Sequence, residues 1–151
     1  MRKNFILLLV VCIIACSFFS CSRSKADPLE TVTQFEREFN TGGRIYYGSA
    51  AEGEEGYLGE ELFDALFPDG LPPCEYSVLM YSSLHKVNEL GVFKLEDSGK
   101  SPELLSVVNA RLKLLSSFVE GESFIYEKGG IVAYGFFDNA EEAKKLLKKM
   151  I

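Results

Sequence analysis

The sequence predicts an α+β domain, a four-stranded and mostly antiparallel sheet packed on one face by helices. Two observations carry that prediction. Strand-like runs come as neighbours joined by short connections, residues 76–82 with 90–95 and residues 124–126 with 131–137, and neighbours so joined pair antiparallel. The segments around these pairs carry apolar residues at helical spacing, in the order α-α-β-β-α-β-β-α, and such clustering of strands and helices is the α+β pattern.

Ahead of the domain, Arg2 and Lys3 lead an uncharged apolar run from Phe5 to Phe19 that ends in small residues and cysteine, the pattern of a secretory signal. A run of about 15 residues falls short of the roughly 20 that a membrane span requires. Cysteine after a small residue fits a lipoprotein cleavage site. Cys21 is the expected lipid attachment point, because cleavage before it uses the whole apolar run and leaves a polar tether; Cys16, after Ile13-Ile14-Ala15, is the alternative. Two acyl chains, at about 0.8 kcal/mol per buried methylene, would hold the protein stably at the membrane. The expected organisation is a signal over 1–20, a tether over 21–26 and a single domain over 27–151.

About 125 residues suffice for one core that buries roughly two thirds of the unfolded surface. Losing Arg2 and Lys3 from 16 cations leaves 14 against 22 acids, a formal charge of −8. Such a surface disfavours nucleic acid and anionic lipid headgroups as partners. Of the four cysteines, Cys12, Cys16 and Cys21 lie in the N-terminal segment, so Cys74 is expected to be a quiet thiol and no disulfide framework is built.

Asp27-Pro28-Leu29-Glu30 opens the first helix, with aspartate as cap and proline in the first turn. Leu29, Val32, Phe35 and Phe39 then form one apolar stripe that Thr41-Gly42-Gly43 ends. From Ile45 to His85 there is no lysine or arginine, while Glu52, Glu54, Glu55, Glu60, Glu61, Asp64 and Asp69 accumulate. The spacing lacks the alternating acids and twelfth-position glutamate of a calcium loop. A flexible, solvated acidic loop is therefore expected, with no metal and no other cofactor. Residues 59–67 read as a short helix burying Leu62, Leu66 and Phe63 before Pro68-Asp69-Gly70 breaks it.

Between the first two strands, residues 83–89 read as a connection holding His85, the single histidine, for which no special role is expected. Asp97-Ser98-Gly99-Lys100 turns the chain into Ser101-Pro102-Glu103, the cap of the longest helix. Its stripe is Leu104, Val108, Leu112, Leu115 and Val119, flanked by Leu105, Leu114 and Phe118. Lys128-Gly129-Gly130 is a hairpin-type turn. Residues 131–137 are apolar throughout, which places that strand centrally, and Gly135 there admits close packing. Asn139-Ala140-Glu141-Glu142 starts a last helix with Ala143, Leu146, Leu147 and Met150 inward and Lys144, Lys145, Lys148 and Lys149 outward.

The signal with Lys25-Ala26-Asp27-Pro28, then Glu75-Tyr76-Ser77-Val78, Glu89-Leu90-Gly91-Val92-Phe93-Lys94 and Lys128-Gly129-Gly130-Ile131-Val132 before Asp138-Asn139-Ala140-Glu141, follow one another in a recognisable order. In these stretches the chain resembles the small clostridial-type lipoproteins whose exported part is a domain of unknown function. The resemblance implies a Gram-positive cell envelope and brings no catalytic residues. It departs from the family pattern over residues 118–123, where a longer helical extension is usual.

The expected function is a non-enzymatic binding or interaction module, lipid-anchored on the extracytoplasmic face of the membrane and holding an envelope protein or component. The candidate surface lies in residues 46–61 and comprises Tyr46, Tyr47, Glu52, Glu54, Glu55 and Tyr57, whose rings and carboxylates suit recognition. The alternatives are an envelope hydrolase, which would need a nucleophile-base pair or two placed carboxylates that the sequence does not single out, and a small-molecule receptor with its pocket in the seam between sheet and helices.

Overall fold

The computed structural model describes residues 25–151, so the expected signal peptide, with Cys16 and Cys21, lies outside the described residues. Helix α1, Pro28–Phe39, begins as its sequence dictates: the Asp27 carboxylate accepts the Glu30 N–H at 2.8 Å. Val32 and Phe35 are buried on its inner face. It ends at Asn40 in the left-handed region (φ 55°), where the Glu36 carboxylate accepts from the Thr41 hydroxyl and the Thr41 and Gly42 N–H groups.

The sheet has five strands, not four, in the order β1-β2-β3-β5-β4 with every neighbouring pair antiparallel. The additional strand is β1, Arg44–Tyr47, which pairs Ile45 with Leu79 and Tyr47 with Ser77 on β2, Cys74–Ser82. Four residues are too short to display a period of two, and this strand exists because β2 offers it a ladder. Strand β3, Val87–Leu95, starts three residues before the expected point and takes Glu89 out of the connection. Strands β4, Glu122–Lys128, and β5, Ile131–Phe137, close on Gly129 and Gly130, whose positive φ values of 57° and 83° make the tight two-residue turn.

Helices cover both faces of the sheet, where one covered face was expected. Helices α2, Glu60–Leu66, and α3, Ser101–Phe118, supply Leu66, Leu104 and Val108 against Val78, Phe93, Val132 and Phe136. On the other face α1 and α4, Ala140–Leu147, set Val32, Phe35, Ala143 and Leu147 against Leu79, Leu90, Val92 and Phe137. The reason lies in the three central strands: β2, β3 and β5 carry large apolar residues at consecutive positions, and both rows need cover.

Two local expectations fail in instructive ways. Ser101 does not cap α3; its hydroxyl donates to the Glu127 carboxylate at 2.6 Å and ties the helix start to β4. Leu114 and Phe118 do not join the buried face, and Phe118 is 77% exposed. Gly135 behaves as expected of close packing, since a Cβ there would stand 2.3 Å from the Phe124 ring of the adjoining strand.

Candidate functional site

Strand β1 turns the backbone of Tyr47 away from the sheet. Its N–H donates to the Gly56 carbonyl at 3.0 Å, whereas the next residue, Gly48, donates to Tyr76 on β2 at 3.1 Å. The chain after β1 thus folds back along the strand's own outer edge. Gly56 permits this: at φ 89° it carries no Cβ, and one would stand 2.3 Å from the Tyr47 ring and 3.2 Å from the Ile45 carbonyl. The Tyr47 hydroxyl donates to the Glu55 carbonyl at 3.1 Å, and the Glu54 carboxylate accepts the Ala51 N–H at 2.9 Å. The acidic loop is therefore held against β1 by named bonds rather than left free.

Between this loop, β1 and the outer side of α1 lies an open depression of about 670 Å³. Tyr46, Tyr47, Glu54, Glu55 and Tyr57 line it, so five of the six predicted residues meet there; Glu52 is exposed in the loop and is not part of the wall. Leu29 and Thr33 of α1 close one side, and Arg44 adds a guanidinium that the acidic stretch itself lacks. A second depression of about 440 Å³ adjoins it across Tyr47 and is lined by Asp27, Cys74, Glu75 and Tyr76. The residues along the larger one include tyrosines and charges of both signs, the equipment of recognition, although the Tyr46 ring packs against the α2 and α3 side of the core and the Tyr47 hydroxyl is taken by the Glu55 carbonyl. Among the described residues no histidine, serine or cysteine lines it. His85 stands exposed in the β2–β3 connection, and Cys74 is a free thiol pushed up to about 11 by burial and by the nearby Glu96 carboxylate.

The strongest electrostatic feature lies elsewhere and was not legible in the sequence. Glu89 on β3, fully buried, receives Arg111 of α3 through two bonds, Nε to Oε1 at 2.8 Å and Nη2 to Oε2 at 2.6 Å. The Tyr134 hydroxyl of β5 donates to the same carboxylate at 2.5 Å. Burial would lower the Arg111 pKa, but the bond to Glu89 and its charge outweigh that and raise it. Burial first, then the Glu89 charge and bond, raise Tyr134 well above the ordinary phenol range. The result is a neutral hydroxyl on a carboxylate matched by a planar guanidinium fork. Gly91 makes the room: it lies opposite Tyr134 in the ladder, and a Cβ on it would approach that ring to 2.3 Å.

With Glu89 and Tyr134 wholly enclosed, this cluster fastens α3 to the sheet and is not presented to a ligand. The available signal was a charged residue two positions before Gly91 inside an apolar run, together with an arginine bordering the Val108, Leu112 and Leu115 stripe. Neither names its partner, because the contacts span 22 and 45 residues of sequence.

No protein-family model matches the chain, and no curated protein and no solved structure matches it.

Proposed function

We propose that this protein is a non-enzymatic binding module, exported and held by an N-terminal lipid on Cys21, with Cys16 as the alternative, that retains an envelope protein or component at the extracytoplasmic face of the membrane. The observation that carries the reading is the depression along β1, where Tyr46, Tyr47, Tyr57, Glu54 and Glu55 line one wall system beside Arg44. Its size lies within the range of ligand-binding clefts, about 300–1,000 Å³, and its open form suits a side chain or headgroup of a larger partner. Export and anchoring rest on the N-terminal pattern of cations, apolar run and small residue before cysteine, and the cell-envelope setting on the resemblance to clostridial-type lipoproteins.

The experiment is crosslinking of the tagged full chain in its native membrane, followed by mass spectrometry of what is captured. One partner recovered near stoichiometrically, and lost when Glu54→Gln and Glu55→Gln are combined with Tyr57→Ala, is the expected result. A partner captured equally by that variant would move the binding surface elsewhere, and absence of any specific partner would count against the module itself.

A further inference from the structure

The two edges of the sheet are treated differently. On β1 the loop covers the outer side, with Gly56 accepting the Tyr47 N–H, and the strand is only four residues long. On β4 seven residues form the edge, and among the described residues nothing pairs with their outer side. Uncovered edges of this length are normally blunted, because they template pairing with another strand.

The ladder to β5 says which residues face outward. The tight turn makes Lys128 and Ile131 a pair that exchanges both backbone bonds. Alternation then turns Tyr126, Phe124 and Glu122 inward, and leaves the N–H and C=O groups of Ser123, Ile125 and Glu127 directed outward. The middle outward residue is Ile125, the centre of the strand.

We propose that β4 pairs antiparallel with β4 of a second copy of this chain, about a two-fold axis at Ile125, to form one continuous sheet of doubled width. Three features of the strand agree with that axis. Ile125 meets its own copy as a bonded pair, and Ser123 meets Glu127 of the second copy in the same way, so every outward group finds a partner. Phe124, buried over Gly135 and against Phe137, stands opposite the copy's half-buried Tyr126 at the closer, non-bonded position, so an apolar side chain and an aromatic one flank the axis on the same face with no charge between them. Glu122 meets the copy's Lys128, so both ends of the ladder join opposite charges, where a register shifted by two residues would lose that match.

Existing contacts are compatible with this. Lys128 donates to the Ile151 carbonyl at 2.6 Å, Lys148 sits over the Tyr126 ring at 5.7 Å, and Glu127 holds Ser101; none uses the outward backbone. The covered edge at β1 closes the assembly at two copies, since an isologous interface uses each edge once.

The test uses the full chain in membranes. Chains with Glu122→Cys and one tag are co-expressed with chains carrying Lys128→Cys and another, then oxidised. These two positions face each other with about 4.5 Å between Cα atoms, within disulfide reach, whereas like positions lie roughly 20 Å apart. A mixed-tag disulfide dimer, absent when either variant is expressed alone, is expected. Absence of the mixed dimer, or equal crosslinking within each variant alone, overturns the proposal. Separately, Ile125→Pro removes an outward N–H without touching the β5 ladder, and the detergent-extracted full chain should fall to half the mass of the unsubstituted protein by sedimentation; an unchanged mass with unchanged circular dichroism overturns the proposal as well.

Discussion

Arg111→Met is the sharpest probe of how this fold is held. The substitution keeps the length and apolar stem of the side chain but removes the guanidinium from Glu89, whose carboxylate is fully buried and then keeps only the Tyr134 hydroxyl as a side-chain partner. Stranding a buried charge in this way costs about 3–5 kcal/mol, a large share of the roughly 5–15 kcal/mol that holds a domain of this size. With a urea slope near 2 kcal/mol per molar, the unfolding midpoint should fall by about 1.5–2.5 M at constant slope. The cost is that of an unpaired charge and not of a lost attraction, so it should be reversible by removing the charge. Glu89→Leu added to Arg111→Met recovers most of the loss but orphans the Tyr134 hydroxyl, worth about 1–3 kcal/mol. Adding Tyr134→Phe then brings the chain to within about 1 kcal/mol of the parent or above it. A loss below about 1 kcal/mol for Arg111→Met, or a triple variant as unstable as the single one, would refute this account of the cluster.

Gly91→Ala should cost about 1–3 kcal/mol by urea unfolding, because the added Cβ meets the Tyr134 and Phe93 rings at 2.3 and 2.9 Å and Tyr134 is pinned by Glu89; a neutral result would show that the ring moves freely. For Cys74, burial and then Glu96 raise the thiol from 9.0 to about 11, so the folded chain holds that proton at pH values where the unfolded chain has lost it. Folding stability from this group is complete below about pH 9 and is lost as pH rises toward 11. At pH 8 alkylation of the Cys74 peptide, read by mass spectrometry, should run roughly 100-fold slower than in urea-unfolded protein, and equal rates would contradict the burial argument.

What could be read in the sequence is what depends on neighbours along the chain. The Asp27 cap, the Val32, Phe35 and Phe39 part of the α1 stripe, the Gly129-Gly130 turn and the interior place of β5 each rest on a few consecutive residues, and each is found in the structure, whereas Leu29 of that stripe lines the outer depression. What escaped depends on distant partners. Strand β1 needs β2, some 30 residues later, and the second helical layer arises because β2 and β3 are apolar on both faces. Ser101 illustrates the competition: as a cap it would satisfy its own helix, but the Glu127 carboxylate across the fold takes its hydroxyl. Of the candidate surface, the tyrosines and acids were legible as composition; that Arg44 and α1 complete the wall was not.

The proposed anchor and the proposed dimer constrain each other. A two-fold axis that continues a sheet stands perpendicular to it, so the two tethers leave from opposite ends of the doubled sheet. Each starts at Asp27, ahead of α1 and beside Glu75 and Tyr76, and six tether residues reach at most about 20 Å. Both can enter one bilayer only if the sheet lies along the membrane with the α1 and α4 layer toward the lipid. That layer holds the exposed Lys145 of α4 and Lys148 and Lys149 just beyond its end, together with the exposed Glu30, Glu38, Glu141 and Glu142, while the loop acids and α2 lie at the edge and on the opposite layer. The lysine cluster at the end of α4 thus faces the headgroups. In cells treated with a membrane-impermeant amine reagent, these lysines should label several-fold less in the anchored protein than in a Cys21→Ala form released from the membrane. Lys113, exposed on α3 in the far layer, should label equally in both. Equal labelling of the α4 lysines in the two forms would separate the dimer from the anchor, because the monomer places no such demand on which face meets the lipid.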